Sequence, residues 1–143
     1  TLALAAYITA HTAPDEVVLS DYAGLNFHAR RPSVYQASII AEGRIRGGFV
    51  TTAGLVMEIE ARDVRMVVLH VPGGSLCPSH LFNLQDFDEF YAYLNQRFCL
   101  ADTFSRAGQM FEIYQVCPGQ EEKSNPFSGN THRILPVFRC SQV

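Results

Sequence analysis

The chain has 143 residues, of which 48% are hydrophobic and 17% are charged, and its formal net charge is −3. This length suits one ordinary domain with one sizeable core, and the composition argues against general disorder. The eleven Lys and Arg residues are scattered, so no nucleic-acid partner is expected. The longest apolar runs fall far short of the roughly 20 residues that cross a bilayer. Because the chain begins at Thr1 without a leader, we expect a segment of a longer protein.

Helical and extended patterns alternate in the first part of the chain. Apolar residues at helical spacing predict an amphipathic helix over 2–11, and a short buried strand over 17–20 follows. A helical turn over 23–29 ends before Pro32. Residues 33–40 are rich in β-branched and aromatic side chains, which predicts a second strand or an extended crossing segment.

Glycine-marked loops separate this region from the next helix, which Thr51 or Thr52 should cap. Residues 64–71 form the clearest strand, because their apolar run suits a central strand covered on both faces. A helix over 87–98 follows, and Asp86 with Glu89 predicts a capping box at its start.

Two extended segments, 99–105 and 109–116, flank Gly108 and predict an antiparallel hairpin. The alternation of elements predicts an α/β domain over 1–116, a layered fold with a mostly parallel central sheet flanked by helices and a C-terminal antiparallel hairpin. The strands at 17–20 and 64–70 should lie side by side at its centre. Residues 117–143 contain Pro, Gly and Ser and are expected to form a C-terminal tail that packs on the domain or on a neighbour.

Ligands of open α/β sheets bind at the carboxyl ends of the strands. Asp21 and His70 stand at the ends of two predicted strands, Arg31 lies in the loop after the 23–29 helical turn, and Tyr35 lies in the 33–40 segment. We therefore predict that these four residues converge on any ligand site. A structural use is the alternative, since Asp21 also suits a helix cap and His70 suits a hydrogen-bonded buried histidine.

No sequence motif assigns a catalytic residue, a cofactor or a metal. The glycines at 43, 47 and 48 lack the lysine of a phosphate-binding loop, and the histidines are too dispersed to nominate a metal site. The four cysteines lack zinc-site spacing, and both disulfides and buried free thiols remain open for them: Cys77, Cys99, Cys117 and Cys140.

Several segments carry a family resemblance that covers about residues 2–116. They are the stretch Thr12-Ala-Pro-Asp-Glu-Val-Val-Leu-Ser-Asp-Tyr-Ala-Gly-Leu25, the pair Arg31-Pro32, the stretch Asp63-Val-Arg-Met-Val-Val-Leu69, the 87–98 helix, and the stretch Phe104-Ser-Arg-Ala-Gly-Gln-Met-Phe-Glu-Ile-Tyr114. Together they resemble the soluble C-terminal portion of bacterial multi-spanning membrane glycosyltransferases of the protein-mannosyltransferase type.

This resemblance implies a noncatalytic accessory domain on the extracytoplasmic side of a membrane, as part of an integral membrane protein. Its partners would be the membrane domain of the parent protein and a glycan or protein acceptor. The family transfers a sugar from a polyprenyl-phosphate carrier with acidic residues of a loop that this chain lacks. An extracytoplasmic location would allow Cys117 and Cys140 to close the tail into a loop of about 24 residues.

Two other classes of function remain open from the residues themselves. One is an unrelated α/β module that binds a ligand or forms oligomers. The other is a small enzyme that uses Asp21 and His70.

Overall fold

A computed structural model describes residues 2–71, 80–106 and 108–119. Its helices are α1 Leu2–His11, α2 Ala23–Ala29, α3 Glu42–Arg46, α4 Thr52–Ala61 and α5 Phe87–Arg97, with short 3-10 helices at Gln36–Ile39 and His80–Asn83. Its strands are β1 Val18–Ser20, β2 Met66–Val71, β3 Phe98–Arg106 and β4 Gln109–Val116. The predicted α/β fold with helices around a sheet and a C-terminal hairpin is confirmed.

The four strands form one mixed sheet in the order β1-β2-β4-β3. β1 and β2 are parallel, with Ser20 opposite Val68, and the other two pairings are antiparallel, so the sheet is mixed where a mostly parallel one was predicted. The predicted central position is therefore right for β2 and wrong for β1, which ends the sheet. The second strand of the hairpin, β4, pairs with β2. The sequence pattern of the individual segments does not indicate which hairpin strand pairs with β2.

The outer edge of β1 meets the segment that was predicted as a second strand. The Val18 N–H donates to the Pro32 carbonyl at 3.0 Å, and Val18 forms an isolated parallel bridge with Ser33. Beyond this bridge the chain turns into the 3-10 helix, so the strand prediction for 33–40 is wrong. One bridge still covers part of the edge that β1 would otherwise expose.

β2 alternates between two hydrophobic layers, which explains why its sequence is apolar throughout. Met66 and Val68 face α1 and α2, while Val67 and Leu69 face α4 and α5. The first layer also buries Leu4, Ala5, Ile8, Leu25, Ala29 and Ile113. The second layer is larger, and its fully buried side chains include Leu55, Ile59, Leu81, Phe90 and Leu94.

The two predicted helix caps, at Thr51 or Thr52 and at Asp86, have different outcomes. Thr51 has extended backbone angles, and its hydroxyl accepts from the Gly54 N–H at 3.1 Å. Asp86 makes no side-chain capping bond, because its φ of −111° and ψ of 43° depart from the extended conformation that directs a cap side chain to the helix start. The predicted capping box is therefore wrong, although α5 itself is confirmed.

A disulfide joins the start of β3 to the end of β4. Cys99 and Cys117 are bonded, with their Cα atoms 5.0 Å apart. This bond overturns the predicted pairing of Cys117 with Cys140, because the Cys117 sulfur is already used. Cys140 itself, Cys77 and the tail from residue 120 onward lie outside the described residues.

Candidate functional site

Asp21 and His70 meet at the carboxyl ends of β1 and β2, as predicted. The His70 main-chain N–H donates to Asp21 Oδ2 at 2.8 Å, and the Asp21 N–H approaches the Val68 carbonyl at 3.4 Å. Since β1 ends at Ser20, the carboxylate continues the pairing with β2 for one further residue. This contact gives Asp21 a structural role, and it joins the carboxylate to the backbone of His70 rather than to its imidazole.

The imidazole of His70 projects on the face of the sheet that α1 covers. It stacks on Phe111, its partner across the β2–β4 pair, with ring centroids 4.9 Å apart. Burial lowers the pKa of His70, so the ring is neutral at pH 7 and offers one hydrogen-bond donor and one acceptor.

Arg31 joins the C-terminal ends of α1 and α2. Its Nε donates to Thr12 Oγ1 at 2.8 Å, and its Nη2 donates to the carbonyls of Thr12 at 2.8 Å and Thr9 at 3.1 Å. Its Nη1 donates to the carbonyls of Ala29 at 3.2 Å and Arg30 at 3.3 Å. Helix C-termini leave carbonyl groups without intrahelical partners and attract cations, which explains this use of the guanidinium.

The four predicted site residues do not converge. Arg31 precedes Pro32, which bonds to the first residue of β1, so it lies at the opposite end of that strand from Asp21. Tyr35 is 72% exposed and is tied to α4, because its N–H donates to Glu58 Oε2 at 2.6 Å. A ligand-binding role for each of the four residues stays a prediction, but one site does not contain all of them.

Three partly buried aromatic rings lie beside His70 and were not predicted from the sequence. We call Tyr7, Phe104 and Phe111 the aromatic row. Tyr7 of α1 meets Phe104 edge to face at 5.4 Å, Phe104 lies opposite Phe111 in the hairpin, and Phe111 stacks on His70. Arg106 pairs with Gln109 next to the turn, and Phe104 and Phe111 each lie two residues farther along their strands, so their pairing follows from the hairpin register. The contacts with Tyr7 and His70 depend on the tertiary fold.

The aromatic row has polar groups at its borders. Burial raises the pKa of the Tyr7 hydroxyl, and the negative charge of Asp102 raises it further. The phenol therefore stays protonated and can donate a hydrogen bond at neutral pH. His11 extends the row at the α1 end, where its ring stacks on Tyr7 at 4.0 Å.

The opposite face of the sheet holds a second polar cluster. The Tyr114 hydroxyl donates to the Glu112 carboxylate within the layer that α4 and α5 cover. Burial and this hydrogen bond raise the pKa of Tyr114. Because Tyr114 is 3% exposed, this hydrogen-bonded pair is better suited to stabilising the interior of the fold than to binding a ligand.

No protein family, curated protein or solved structure matched this chain when each was compared with it. The described residues include no helix long and apolar enough to cross a membrane. Within the same part of the chain, no three His, Cys, Asp or Glu side chains are grouped so that they could hold a metal ion. The described geometry thus places partly buried aromatic rings beside His70, with the protonated Tyr7 hydroxyl at their border.

Proposed function

We propose that this chain is a noncatalytic, extracytoplasmic accessory domain of a membrane glycosyltransferase, and that it recognises the glycan or protein acceptor. The observation that carries the noncatalytic part is the structural use of two charged groups that were candidates for chemistry. The Asp21 carboxylate accepts from the backbone of β2, and the Arg31 guanidinium binds the carbonyls of two helix ends. Groups engaged in this way suit a scaffold.

The aromatic row is the surface that we assign to the acceptor. Aromatic faces supply a large apolar area at a small cost in conformational entropy. The neutral His70 ring and the Tyr7 hydroxyl add hydrogen bonds beside those faces. A sugar ring, with an apolar CH face and a rim of hydroxyl groups, matches that combination.

The Cys99–Cys117 disulfide supports the extracytoplasmic part of the proposal. Disulfides persist in oxidising compartments and are rare in the reducing cytosol. A domain held on the outer side of a membrane would keep this bond.

The testing experiment compares the full-length parent, the parent without this domain and the isolated domain, each with a polyprenyl-phosphate sugar as donor. We expect turnover by the full-length parent, none by the isolated domain, and weakened acceptor use with unchanged donor binding in the truncated parent. Turnover by the isolated domain would refute the noncatalytic role. Unchanged activity of the truncated parent would refute acceptor recognition.

A pair of variants in the full-length parent locates the acceptor surface. His70→Ala should raise the KM for the acceptor about tenfold, which corresponds to the loss of about 1.4 kcal/mol of binding. Phe49→Ala removes an exposed ring between α3 and α4, on the opposite layer of the sheet, and should leave that KM unchanged. Equal effects of the two variants would remove the aromatic row as the acceptor surface.

A further inference from the structure

The outward side of α1 and α2, here called the α1–α2 face, is exposed and carries no formal charge. Residues 2–14 and 22–29 contain no Asp, Glu, Lys or Arg. Three large side chains of this region are nevertheless exposed to solvent: Leu2 by 71%, Tyr22 by 52% and Phe27 by 81%. The other exposed positions of α1 carry alanine at 3, 6 and 10, together with Thr9 and His11.

The two helices form one continuous face. Arg31 binds the last carbonyls of both, and Thr9 Oγ1 of α1 donates to the Ala29 carbonyl of α2 at 3.3 Å. The Tyr22 ring folds over Gly24, where an added Cβ would lie 3.2 Å from it. Gly24 and Phe27 are three residues apart and share one side of α2, so the Tyr22 and Phe27 rings occupy the same outward side.

The outward side of α1 is uncharged. α1 buries Leu4, Ala5 and Ile8 against the sheet, and its exposed residues are Leu2, three alanines, Thr9 and His11, with no Asp, Glu, Lys or Arg among them. Helices with one free side normally carry charged residues there, and α5 does so with Asp88 and Glu89. The α1–α2 face therefore has the composition of a surface that is covered in the assembled protein.

We propose that a second copy of this chain covers the α1–α2 face, so that the protein forms a two-fold symmetric dimer through α1 and α2. Covering the face with a charged surface would bury charges without partners, which is costly. Among the α-helices that the structure describes, only α1 and α2 lack charged residues, so the same face of another copy is the matching surface found in this molecule.

The side-chain sizes on the face are compatible with this symmetry. In a two-fold interface the same patch of each copy meets itself, so that each projection must find a recess in the same patch. Phe27 supplies the projection, and the alanines at 3, 6 and 10 supply the recess. Phe27 therefore packs on α1 of the partner twice in the dimer, in the role of the aromatic anchor that dominates many interfaces.

The test is sedimentation equilibrium of the full chain with its disulfide intact, between about 1 and 200 µM. The wild-type chain should be dimeric in this range. Phe27→Asp should raise the dimer dissociation constant at least about 30-fold, the loss typical of a central aromatic anchor. Ala6→Glu should weaken the dimer similarly from the α1 side. Met57→Asp is the matched control, because it places the same charge on an exposed apolar residue of α4, and it should leave the constant unchanged.

Four outcomes would overturn the proposal. A wild-type chain that stays monomeric throughout the range has no such interface. Equal weakening by Met57→Asp and Phe27→Asp would indicate a nonspecific effect of charge, and loss of the dimer in Leu100→Asp would move the contact to the exposed strand β3. A monomer that cosediments with phosphatidylcholine vesicles through Phe27 would assign the face to a lipid surface. None of these results depends on acceptor recognition, so this proposal and the proposed function fail separately.

Discussion

The two helical layers of this domain have similar inner sides and different outer sides. Each layer buries aliphatic side chains against the same central strand, β2. The outer sides of α4 and α5 carry charged residues such as Glu60, Asp88 and Glu89, whereas the α1–α2 face carries none. The buried inner sides stabilise the fold in both layers. The outer sides differ in charge, and this difference is the basis of the proposed dimer.

The strongest test of this comparison sets a buried phenylalanine of one layer against an exposed phenylalanine of the other. Phe90→Ala should lower the free energy of unfolding by about 3–5 kcal/mol, because Phe90 is fully buried in the α4–α5 layer. Phe27→Ala should change that energy, for the monomer, by less than about 0.5 kcal/mol. Urea denaturation at low protein concentration measures both, and a large loss in Phe27→Ala would contradict an outward role for this ring.

The second prediction concerns the bond that holds the strands beneath both layers. Replacing Cys99 and Cys117 together by alanine should cost about 3 kcal/mol, the value for closing a loop of about this length in the unfolded chain. Because β4 packs on both layers, amide hydrogen exchange should accelerate in α1 as well as in α5. Acceleration confined to one layer would mean that the hairpin supports that layer only.

The third prediction concerns the hydrogen bonds that Arg31 makes with the C-terminal ends of α1 and α2. Arg31→Ala should destabilise the fold by about 2 kcal/mol, since several carbonyl groups lose a charged donor. Arg46→Ala is the matched control, because Arg46 is exposed and pairs with Glu42 one turn away, a contact worth about 0.5 kcal/mol or less. Thermal unfolding of both variants gives the comparison, and equal losses would deny Arg31 its structural role.

The smallest expected effect is a pH dependence of the free energy of unfolding, which originates at His70 on the sheet face under α1. Burial lowers the pKa of His70 in the folded chain, while the unfolded chain keeps a value near 6.5. At about pH 7.5 the ring is neutral in both states, so it contributes nothing. As the pH falls through about 6.5 the unfolded chain binds a proton that the folded chain resists, so stability decreases.

His70→Gln should remove that part of the acid-induced loss of stability. Urea denaturation at about pH 7.5 and pH 5 measures the loss, and it should be smaller in His70→Gln than in the wild type. His28→Gln, which removes an exposed imidazole from α2, provides the control. A loss in His70→Gln as large as that of the wild type would contradict the lowered pKa.

Local patterns predicted most elements but not their arrangement. The apolar period of α5, the apolar run of β2 and the turn at Gly108 each identify an element without tertiary information. The place of β1 at the sheet end depends on β4 pairing with β2, a contact between residues far apart in the chain. α3 was missed because Gly43 and Gly47 favour loops, although buried Ile45 and the Glu42–Arg46 pair stabilise a short helix.

The candidate site was predictable where backbone topology alone sets it. Asp21 follows β1, and His70 lies near the end of the neighbouring parallel strand β2, so their proximity follows from the pairing. Arg31 and Tyr35 were expected beside them because they are near in sequence, yet the reversal of the chain along α2 carries them away. The disulfide partner of Cys117 depends on hairpin register, and a tail cysteine was the wrong choice.

The position of β2 between an early and a late strand has a consequence for the order in which the chain is made. During synthesis β1 and β2 leave the ribosome well before β4, whose residues lie about 40 positions later. One edge of β2 therefore stays open until the hairpin is complete, and an open apolar edge invites pairing with other chains. A nascent chain stalled between Val71 and Gln109 should need a chaperone, whereas one that has released Val116 can close its own sheet.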